Sequence, residues 1–375
     1  MRIAINTRFL LSSKMEGFGW YTYEVVKRLV EKHPEHEFIL FFDRAFDKKF
    51  VFGNNVTPLV LNPPARHPFL FYIWFEFSVK RALKKYKADV FLSPDGYLSL
   101  KSEVKQITVI HDINFEHNPD DVPWLMRNYL RRFFPKFARK ATHILTVSEY
   151  SKHDICSTYN IAESKVTALW NGASPEFRPL SLDQKMVVRN THTHGNPYFL
   201  FVGALHPRKN VGRLISAFEQ FKHTHAEDLH KLVIVGTELF GKKLGGIEIS
   251  PFIREHIIFT GHVSLSTLSD IMGAASIFTY VPYFEGFGLP LVEAMKCGVP
   301  ILSGNKTSLP EIAGDAAMYC DPFSTTDISE KMSIIANSSS IQEELSKKGI
   351  KRSELFSWDT TSTEIWNVIC TVVEQ

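Results

Sequence analysis

Residues 277–295 read Ile-Phe-Thr-Tyr-Val-Pro-Tyr-Phe-Glu-Gly-Phe-Gly-Leu-Pro-Leu-Val-Glu-Ala-Met. The apolar, aromatic run ending near Tyr280 predicts a buried strand, and the apolar spacing after Gly288 predicts a helix. Pro290 falls in the first turn of that helix, where proline is favoured. A strand, a glycine-rich turn and a helix in this order are typical of a parallel α/β sheet.

The same alternation of strands and helices runs through the chain on both sides of this stretch. In the first half it predicts strands at 2–6, 38–42, 90–93, 106–110 and 143–147, and in the second half at 198–202, 231–235, 256–259, 277–280 and 299–302. Prolines and a polar run at 175–196 indicate an interdomain connection. We therefore expect an α/β protein of two facing Rossmann-like, doubly wound domains, at about 1–178 and 196–357, with a cleft between them.

Composition excludes several classes of protein. The chain has 375 residues, 44% of them hydrophobic, and a formal net charge of +3, which argues against a disordered chain and a dedicated nucleic-acid binder. Its four cysteines lie far apart, which indicates reduced thiols rather than a disulfide framework or a zinc site. No signal peptide or spanning segment is evident, so we expect a cytoplasmic protein.

Two cations follow the predicted strand 198–202. Arg208 and Lys209 lie just before a helix whose apolar positions are Leu214, Ile215, Ala217, Phe218 and Phe221. Cations at the positive end of a helix dipole are unfavourable by about 0.3–1 kcal/mol each unless an anion lies beside them. The pattern indicates a bound diphosphate, and a solvated basic loop is the alternative.

The turn 285–293 offers complementary groups. Gly286 and Gly288 allow the backbone to approach an anion closely, and Glu285 and Glu293 can accept hydrogen bonds from sugar hydroxyls. Taken singly, each glutamate is equally explained as a dipole-complementing or solvated carboxylate.

Residues 285–300 resemble the E-x7-E signature of the retaining glycosyltransferase family 4, which has a two-domain glycosyltransferase-B fold. Shorter stretches resemble family motifs in the same order along the chain, namely Val147-Ser-Glu149, Asn171-Gly172, Pro207-Arg-Lys-Asn210, Gly261-His-Val263, Ser308-Leu-Pro-Glu311 and Asp315-Ala-Ala317. Many members carry an arginine where this chain has Ala204. The resemblance covers nearly the whole sequence.

The resemblance implies roles for residues of the second domain. Arg208 and Lys209 would hold the donor diphosphate, Glu285 would face the transferred sugar and Glu293 would bind the ribose hydroxyls. The donor would also contact loop residues, namely Val263, Gly286, Phe287, Gly288 and Leu289. A C-terminal helix from about 358 to 375 would return to the first domain, and the domains would close over the donor.

In the first domain, His111 stands at the end of a predicted strand and matches the family's donor-sugar histidine. A structural role is the alternative for a histidine in such a place, and the neighbouring Asp112 equally fits a role in orienting the loop. Glu16-Gly17-Phe-Gly19 predicts a loop before a helix starting near Trp20. The resemblance places Gly17 and Gly19 beside the diphosphate and acceptor, and an ordinary tight turn is the alternative.

The resemblance also implies the chemistry. Retaining transfer in this fold proceeds at the front face, with cations stabilising the leaving diphosphate. No Asp-x-Asp occurs in the chain, so we expect no metal cofactor. The motifs look most like mannosyltransferases of surface-polysaccharide or lipopolysaccharide assembly, which favours GDP-mannose as donor and a glycan or lipid-linked acceptor. Alternatives are a UDP-sugar donor, a nucleotide-sugar epimerase and an inactive sugar-nucleotide-binding module.

Two segments suggest peripheral membrane contact. Residues 69–87 carry aromatic side chains followed by a basic cluster, and residues 124–140 interleave six cations with aromatic side chains. An interfacial helix on anionic lipid has this composition, and a helix packed on the sheet with solvated charges is the alternative.

Overall fold

The computed structural model describes residues 1–11, 15, 17–237 and 249–375. The chain divides into two compact units, Met1–Asn171 with Ser357–Gln375, and Gly172–Phe356. The first unit thus ends at Asn171 rather than near 178, and the C-terminal segment belongs to it.

The first unit contains a seven-stranded parallel sheet in the order β3-β2-β1-β4-β5-β6-β7. Its strands are β1 (Arg2–Asn6), β2 (Glu37–Phe42), β3 (Val56–Val60), β4 (Val90–Ser93), β5 (Lys105–Val109), β6 (His143–Thr146) and β7 (Val166–Ala168). The strand order reverses between β1 and β4. Doubly wound sheets bind ligands at the carboxyl ends of the strands that flank such a switch point.

The second unit contains a six-stranded parallel sheet in the order β10-β9-β8-β11-β12-β13. Its strands are β8 (Tyr198–Val202), β9 (Lys231–Val235), β10 (Ile257–Gly261), β11 (Ile277–Tyr280), β12 (Ile301–Gly304) and β13 (Ala317–Cys320). Here the order reverses between β8 and β11, so the loops after these two strands flank the second switch point.

Helices cover the faces of both sheets. In chain order they are α1 (Gly17–Lys32), α2 (Pro68–Ile73), α3 (Lys80–Lys85), α4 (Asn114–His117), α5 (Trp124–Lys140), α6 (Glu149–Tyr159), α7 (Leu182–Thr193), α8 (Val211–Thr224), α9 (Pro251–Arg254), α10 (Leu265–Ala274), α11 (Leu289–Lys296), α12 (Leu309–Ala313), α13 (Thr325–Ala336), α14 (Ser339–Ser353) and α15 (Trp358–Glu374). A π-helical segment, Trp74–Val79, joins α2 to α3. Within the first unit, α15 packs on α1.

The inner strands are buried over nearly their whole length because helices cover both faces of each sheet. All five residues of β8 are buried, as are Ile3, Ala4 and Ile5 of β1. Each apolar position predicted for the helix after Lys209 is also buried, in α8. The sequence periodicity therefore predicted this core face correctly.

The strands that the sequence missed are β3, β7 and β13. All three are sheet edges. Pro58 interrupts the apolar run of β3. Proline has no backbone N–H, and an edge strand tolerates this loss because one of its sides has no neighbouring strand to accept that hydrogen bond. Edge strands are covered less, so their sequences carry a weaker apolar signal.

The prediction of an interdomain connection at 175–196 is wrong, because this stretch contains α7 and belongs to the second unit. Ser181 and Gln184 form a reciprocal capping box at the start of α7. Arg189 donates to the carbonyl oxygen of Ala274 at 2.9 Å and to Ser276 Oγ at 3.1 Å, which ties the helix to its unit.

Within the described ranges, no helix is both long enough and apolar enough to cross a lipid bilayer.

Candidate functional site

The loop after β8 brings Arg208 and Lys209 to the second switch point. Pro207–Lys209 forms a single 3-10 turn, and Asn210 then adopts a left-handed conformation as the N-cap of α8. The buried Asn210 amide donates to the carbonyl oxygens of Val281 at 2.9 Å and Pro322 at 2.7 Å. These bonds hold the cationic turn against the loops that follow β11 and β13.

The loop after β11 positions Glu285. Its backbone N–H donates to Thr307 Oγ1 at 3.2 Å, and its carbonyl oxygen accepts from Ser308 Oγ at 2.9 Å. Gly288, the N-cap of α11, has φ of +92°, and a Cβ there would lie 3.0 Å from Leu309 Cδ2. Glycine is therefore required for the turn into α11.

Glu285 joins the two cations. Arg208 Nη1 donates to Glu285 Oε1 at 2.8 Å and to the Phe284 carbonyl oxygen at 3.1 Å. Lys209 Nζ donates to the same Oε1 and to the Tyr280 hydroxyl. The sequence indicated that an anion must lie beside these cations, and the structure shows that Glu285 supplies one. We call these three residues the cation clamp.

The charges of the clamp are set by burial and by their mutual attraction. Burial alone would raise the pKa of Glu285, but Arg208 and Lys209 hold this pKa below its usual range. Burial and the Glu285 charge raise the pKa of Tyr280 well above its ordinary value. Glu285 is thus ionised and Tyr280 neutral at neutral pH, and the clamp has two positive charges for one negative charge.

Glu293 is the fifth of the eight residues of α11, and the described residues offer its carboxylate no hydrogen bond or ion pair. Burial raises the pKa of Glu293 to about 7. A carboxyl with a raised pKa and no protein donor fits a ligand-binding role, because hydroxyl donors from a ligand would satisfy it.

The remaining predicted donor contacts also lie on loops at this sheet edge. Val263 lies between β10 and α10, and Gly286, Phe287 and Gly288 form the turn before α11, which begins at Leu289. Phe287 is buried, and its ring contacts Phe356 edge-on at 5.9 Å. Its side chain therefore packs within the unit.

In the first unit, His111 follows β5 at the carboxyl edge of the sheet. Its Nε2–H donates to the Pro94 carbonyl oxygen at 2.9 Å, and its ring meets Phe18 and Tyr21 edge-on at 4.8 and 4.7 Å. Burial lowers the pKa of His111 despite the raising effects of the Pro94 carbonyl and Asp112. The imidazole is therefore neutral at neutral pH, with Nδ1 as its acceptor nitrogen.

The prediction of a glycine-rich loop at 16–19 is wrong for residues 17–19, because α1 begins at Gly17. Glu16 lies outside the described residues. Among the described residues, none but those of its own backbone surroundings lies within 4 Å of a Cβ built on Gly17, whereas a Cβ on Gly19 would lie 2.8 Å from the Phe9 carbonyl oxygen. Gly19 is thus needed for close packing of α1 against the loop that contains Phe9.

Asp112 accepts a hydrogen bond from the Asn114 N–H at 3.0 Å. This bond orients the loop that follows β5.

An ion pair that the sequence did not predict fills the first switch point. Arg8 Nε donates to Asp95 Oδ2 at 2.6 Å, and each side chain is 3% exposed. The guanidinium carbon lies 4.3 to 5.4 Å from the ring centroids of Phe9, Phe71, Phe75 and Tyr97. A buried pair between residues after two separate strands leaves no periodic signal in the sequence.

Helix α5 buries most of the aromatic side chains that suggested a membrane-facing helix. Tyr129, Leu130, Phe134 and Phe137 belong to the core of the first unit. Trp124 remains 67% exposed at the start of α5, and Phe69 is 66% exposed on α2, which packs against α5. Packing on the sheet thus explains the period of α5, and only its first turn presents apolar surface.

No group of three or more histidine, cysteine or carboxylate side chains in the described part of the chain has the arrangement of a metal site.

The sequence matches the profiles of two glycosyltransferase families. "Glycosyl transferases group 1" matches residues 184–352, and "Glycosyltransferase Family 4" matches residues 15–177. O-antigen chain mannosyltransferase B of Escherichia coli is 28% identical over 94% of this chain and 95% of its own length. The chain therefore belongs to the family 4 glycosyltransferases and is a glycosyltransferase.

Solved structures show the same fold. Sucrose-phosphate synthase from Thermosynechococcus elongatus superposes with a TM-score of 0.80 at 15% identity, over 99% of this chain and 98% of that one. Anabaena HepE, solved in complex with UDP-glucose, superposes with a TM-score of 0.75 at 16% identity, over 99% of this chain and 100% of that one. The architecture is glycosyltransferase-B, as the sequence predicted.

Proposed function

We propose that this enzyme transfers mannose from GDP-mannose, with retention, to a glycan or lipid-linked acceptor in surface-polysaccharide assembly. The observation that carries this proposal is the cation clamp, whose excess positive charge at a switch point suits a diphosphate. The likeness to an O-antigen chain mannosyltransferase over nearly the full length of both chains supports mannose and a polysaccharide product.

The clamp explains how the reaction is accelerated. The bond from the anomeric carbon to the diphosphate oxygen breaks, a bond from that carbon to an acceptor hydroxyl oxygen forms, and the hydroxyl proton passes to the leaving diphosphate. Negative charge therefore develops on the diphosphate, where Arg208 and Lys209 stabilise it. These two side chains supply the charge that a metal ion supplies elsewhere, so we propose that turnover needs no metal.

The other site residues bind and orient the donor. Glu293 accepts hydrogen bonds from the ribose hydroxyls, and backbone groups around Val263 contact the base. Neutral His111 offers Nδ1 to a hydroxyl of the transferred sugar, since its Nε2 is occupied by the Pro94 carbonyl. Ala204 carries no charge, so Arg208 and Lys209 alone bind the diphosphate on this loop.

A thermal-shift screen tests the donor site. The purified protein is heated with GDP-mannose, UDP-glucose and the ADP and dTDP sugars, each with and without EDTA, because a ligand that binds only the native state raises the apparent Tm. We expect the largest shift with GDP-mannose, unchanged by EDTA and absent in Lys209→Ala. No shift with any nucleotide sugar would contradict the donor site, and loss of the shift or of turnover in EDTA would contradict the metal-free mechanism.

We also propose that the first unit touches anionic membrane surface through Phe69 and Trp124. Both side chains are exposed, and helices α3 and α5 of the same unit carry exposed cations. Sedimentation with anionic vesicles at low salt should be lost in Phe69→Ala/Trp124→Ala and retained in Phe252→Ala, an exposed aromatic of the second unit. Equal sedimentation of all three proteins would contradict this contact.

A further inference from the structure

Glu285 and the donor diphosphate require the same two cations. Both cations donate to Glu285 Oε1. We propose that Glu285 competes with the nucleoside diphosphate for Arg208 and Lys209, and thereby promotes release of this product after transfer. This inference rests on the proposed function.

The geometry allows the carboxylate to leave the cations while its backbone stays fixed. Thr307 and Ser308 hold the N–H and carbonyl oxygen of Glu285, and the Arg208 carbonyl oxygen accepts from the Tyr283 N–H at 3.1 Å. The two loops therefore remain joined through backbone bonds when the side-chain contacts change. Opening the clamp therefore requires rotation about the side-chain bonds of Glu285 and no break in these backbone bonds.

The charges make the two occupants mutually exclusive. Two cations and one carboxylate leave one net positive charge in the clamp, whereas a nucleoside diphosphate brings more than one negative charge. If Glu285 remained on the cations, its carboxylate would repel the phosphate oxygens at ion-pair distance. The lowered pKa of Glu285 keeps that carboxylate charged at neutral pH, so protonation does not relieve the conflict.

A cycle follows from this exclusion. The incoming donor displaces Glu285 from the cations, and the freed carboxylate can then accept a hydrogen bond from a hydroxyl of the transferred sugar. After transfer the sugar is gone, and Arg208 and Lys209 again attract the carboxylate as the cations nearest to it. Its return to Arg208 and Lys209 weakens their hold on the nucleoside diphosphate.

Titration calorimetry with GDP and UDP tests this role. Glu285→Gln removes the charge with little change in shape, and Glu285→Ala removes it without introducing an amide that could itself bind phosphate. We expect both variants to bind the nucleoside diphosphate on the order of tenfold more tightly than the native protein, as loss of a competing ion pair predicts. Transfer by Glu285→Gln should be slower and more strongly inhibited by added nucleoside diphosphate.

Glu343→Gln is the matched control, since it makes the same charge change at an exposed carboxylate paired with Lys347 on α14. Its affinity should equal that of the native protein. In a Lys209→Ala background the gain from Glu285→Gln should shrink, because the two residues act through one contact. Unfolding curves verify that each variant is folded.

The outcomes separate this inference from the proposed function. Unchanged or weaker binding by both folded Glu285 variants, or an undiminished gain without Lys209, would overturn the competition while leaving the donor site in place. Failure of the native protein to bind any nucleoside diphosphate or nucleotide sugar would instead contradict the donor site itself.

Discussion

The two sheets reverse their strand order in the same way, but different side chains occupy the two switch points. In the first unit, Arg8 and Asp95 form a one-to-one pair enclosed by aromatic rings. In the second unit, two cations share Glu285, and the Arg208 side chain is 24% exposed. A buried pair of opposite charges leaves no net charge to bind an anion, whereas excess positive charge within reach of water can still bind one.

The largest effect should come from breaking the sealed pair. Arg8→Met leaves the Asp95 carboxylate buried without its cation, which should lower the free energy of unfolding by about 3–5 kcal/mol. Urea denaturation measures the loss. Arg8→Met/Asp95→Leu should recover much of it, because apolar side chains can replace a buried ion pair at little cost. A loss below about 1 kcal/mol in the single variant would show that the Asp95 carboxylate does not depend on Arg8 for compensation of its charge.

At the second switch point, substitution should affect activity rather than folding. Lys209→Ala should lower kcat/KM by about 10²–10³, the usual effect of removing one group that stabilises developing charge. Initial rates of transfer measure this, with Lys347→Ala as an exposed lysine control in the same unit. A native-like rate in Lys209→Ala would mean that Lys209 does not contact the diphosphate.

Glu293 makes the second switch point sensitive to pH even without ligand. Its pKa of about 7 lies above the ordinary value of 4.5, so the folded protein holds this proton more tightly than the unfolded chain. The stability that this bound proton contributes is fully present below about pH 4.5 and is lost as the pH rises through about 7. Glu293→Gln removes this dependence, so the variant should gain stability relative to the native protein between pH 5 and pH 8. If the difference in unfolding free energy between Glu293→Gln and the native protein were the same at pH 5 and at pH 8, the raised pKa of Glu293 would be contradicted.

The smallest effect concerns the loop that carries Arg8. Gly19→Ala places a Cβ against the Phe9 carbonyl oxygen and should cost about 1–3 kcal/mol through forced displacement of the loop. Gly17→Ala meets no neighbour among the described residues and should be neutral or stabilising by up to about 1 kcal/mol. Thermal unfolding compares the two. Equal Tm values would show that the loop yields freely and does not fix Arg8.

Much of the fold and the candidate site could be predicted because local sequence carries the signal. Strands β1, β4, β8, β9 and β11 have the predicted bounds. Helix α7 could also have been found, since Ser181-Leu-Asp-Gln184 fits a capping box, but its polar surface concealed it. Tyr280 and Ser308 were missed as site residues because their partners come from other loops.

The sequence by itself determined which residues stand at the ends of strands. Apolar periodicity is local, and in a parallel sheet all carboxyl ends share one edge, so Arg208, Lys209, Glu285 and Glu293 could be assigned to the same edge. Only the tertiary structure decided which of them meet. Arg208 and Glu285 are 77 positions apart, and Arg8 and Asp95 are 87 apart. Both pairs form because the strand order makes β8 neighbour β11 and β1 neighbour β4, and no local pattern encodes that order.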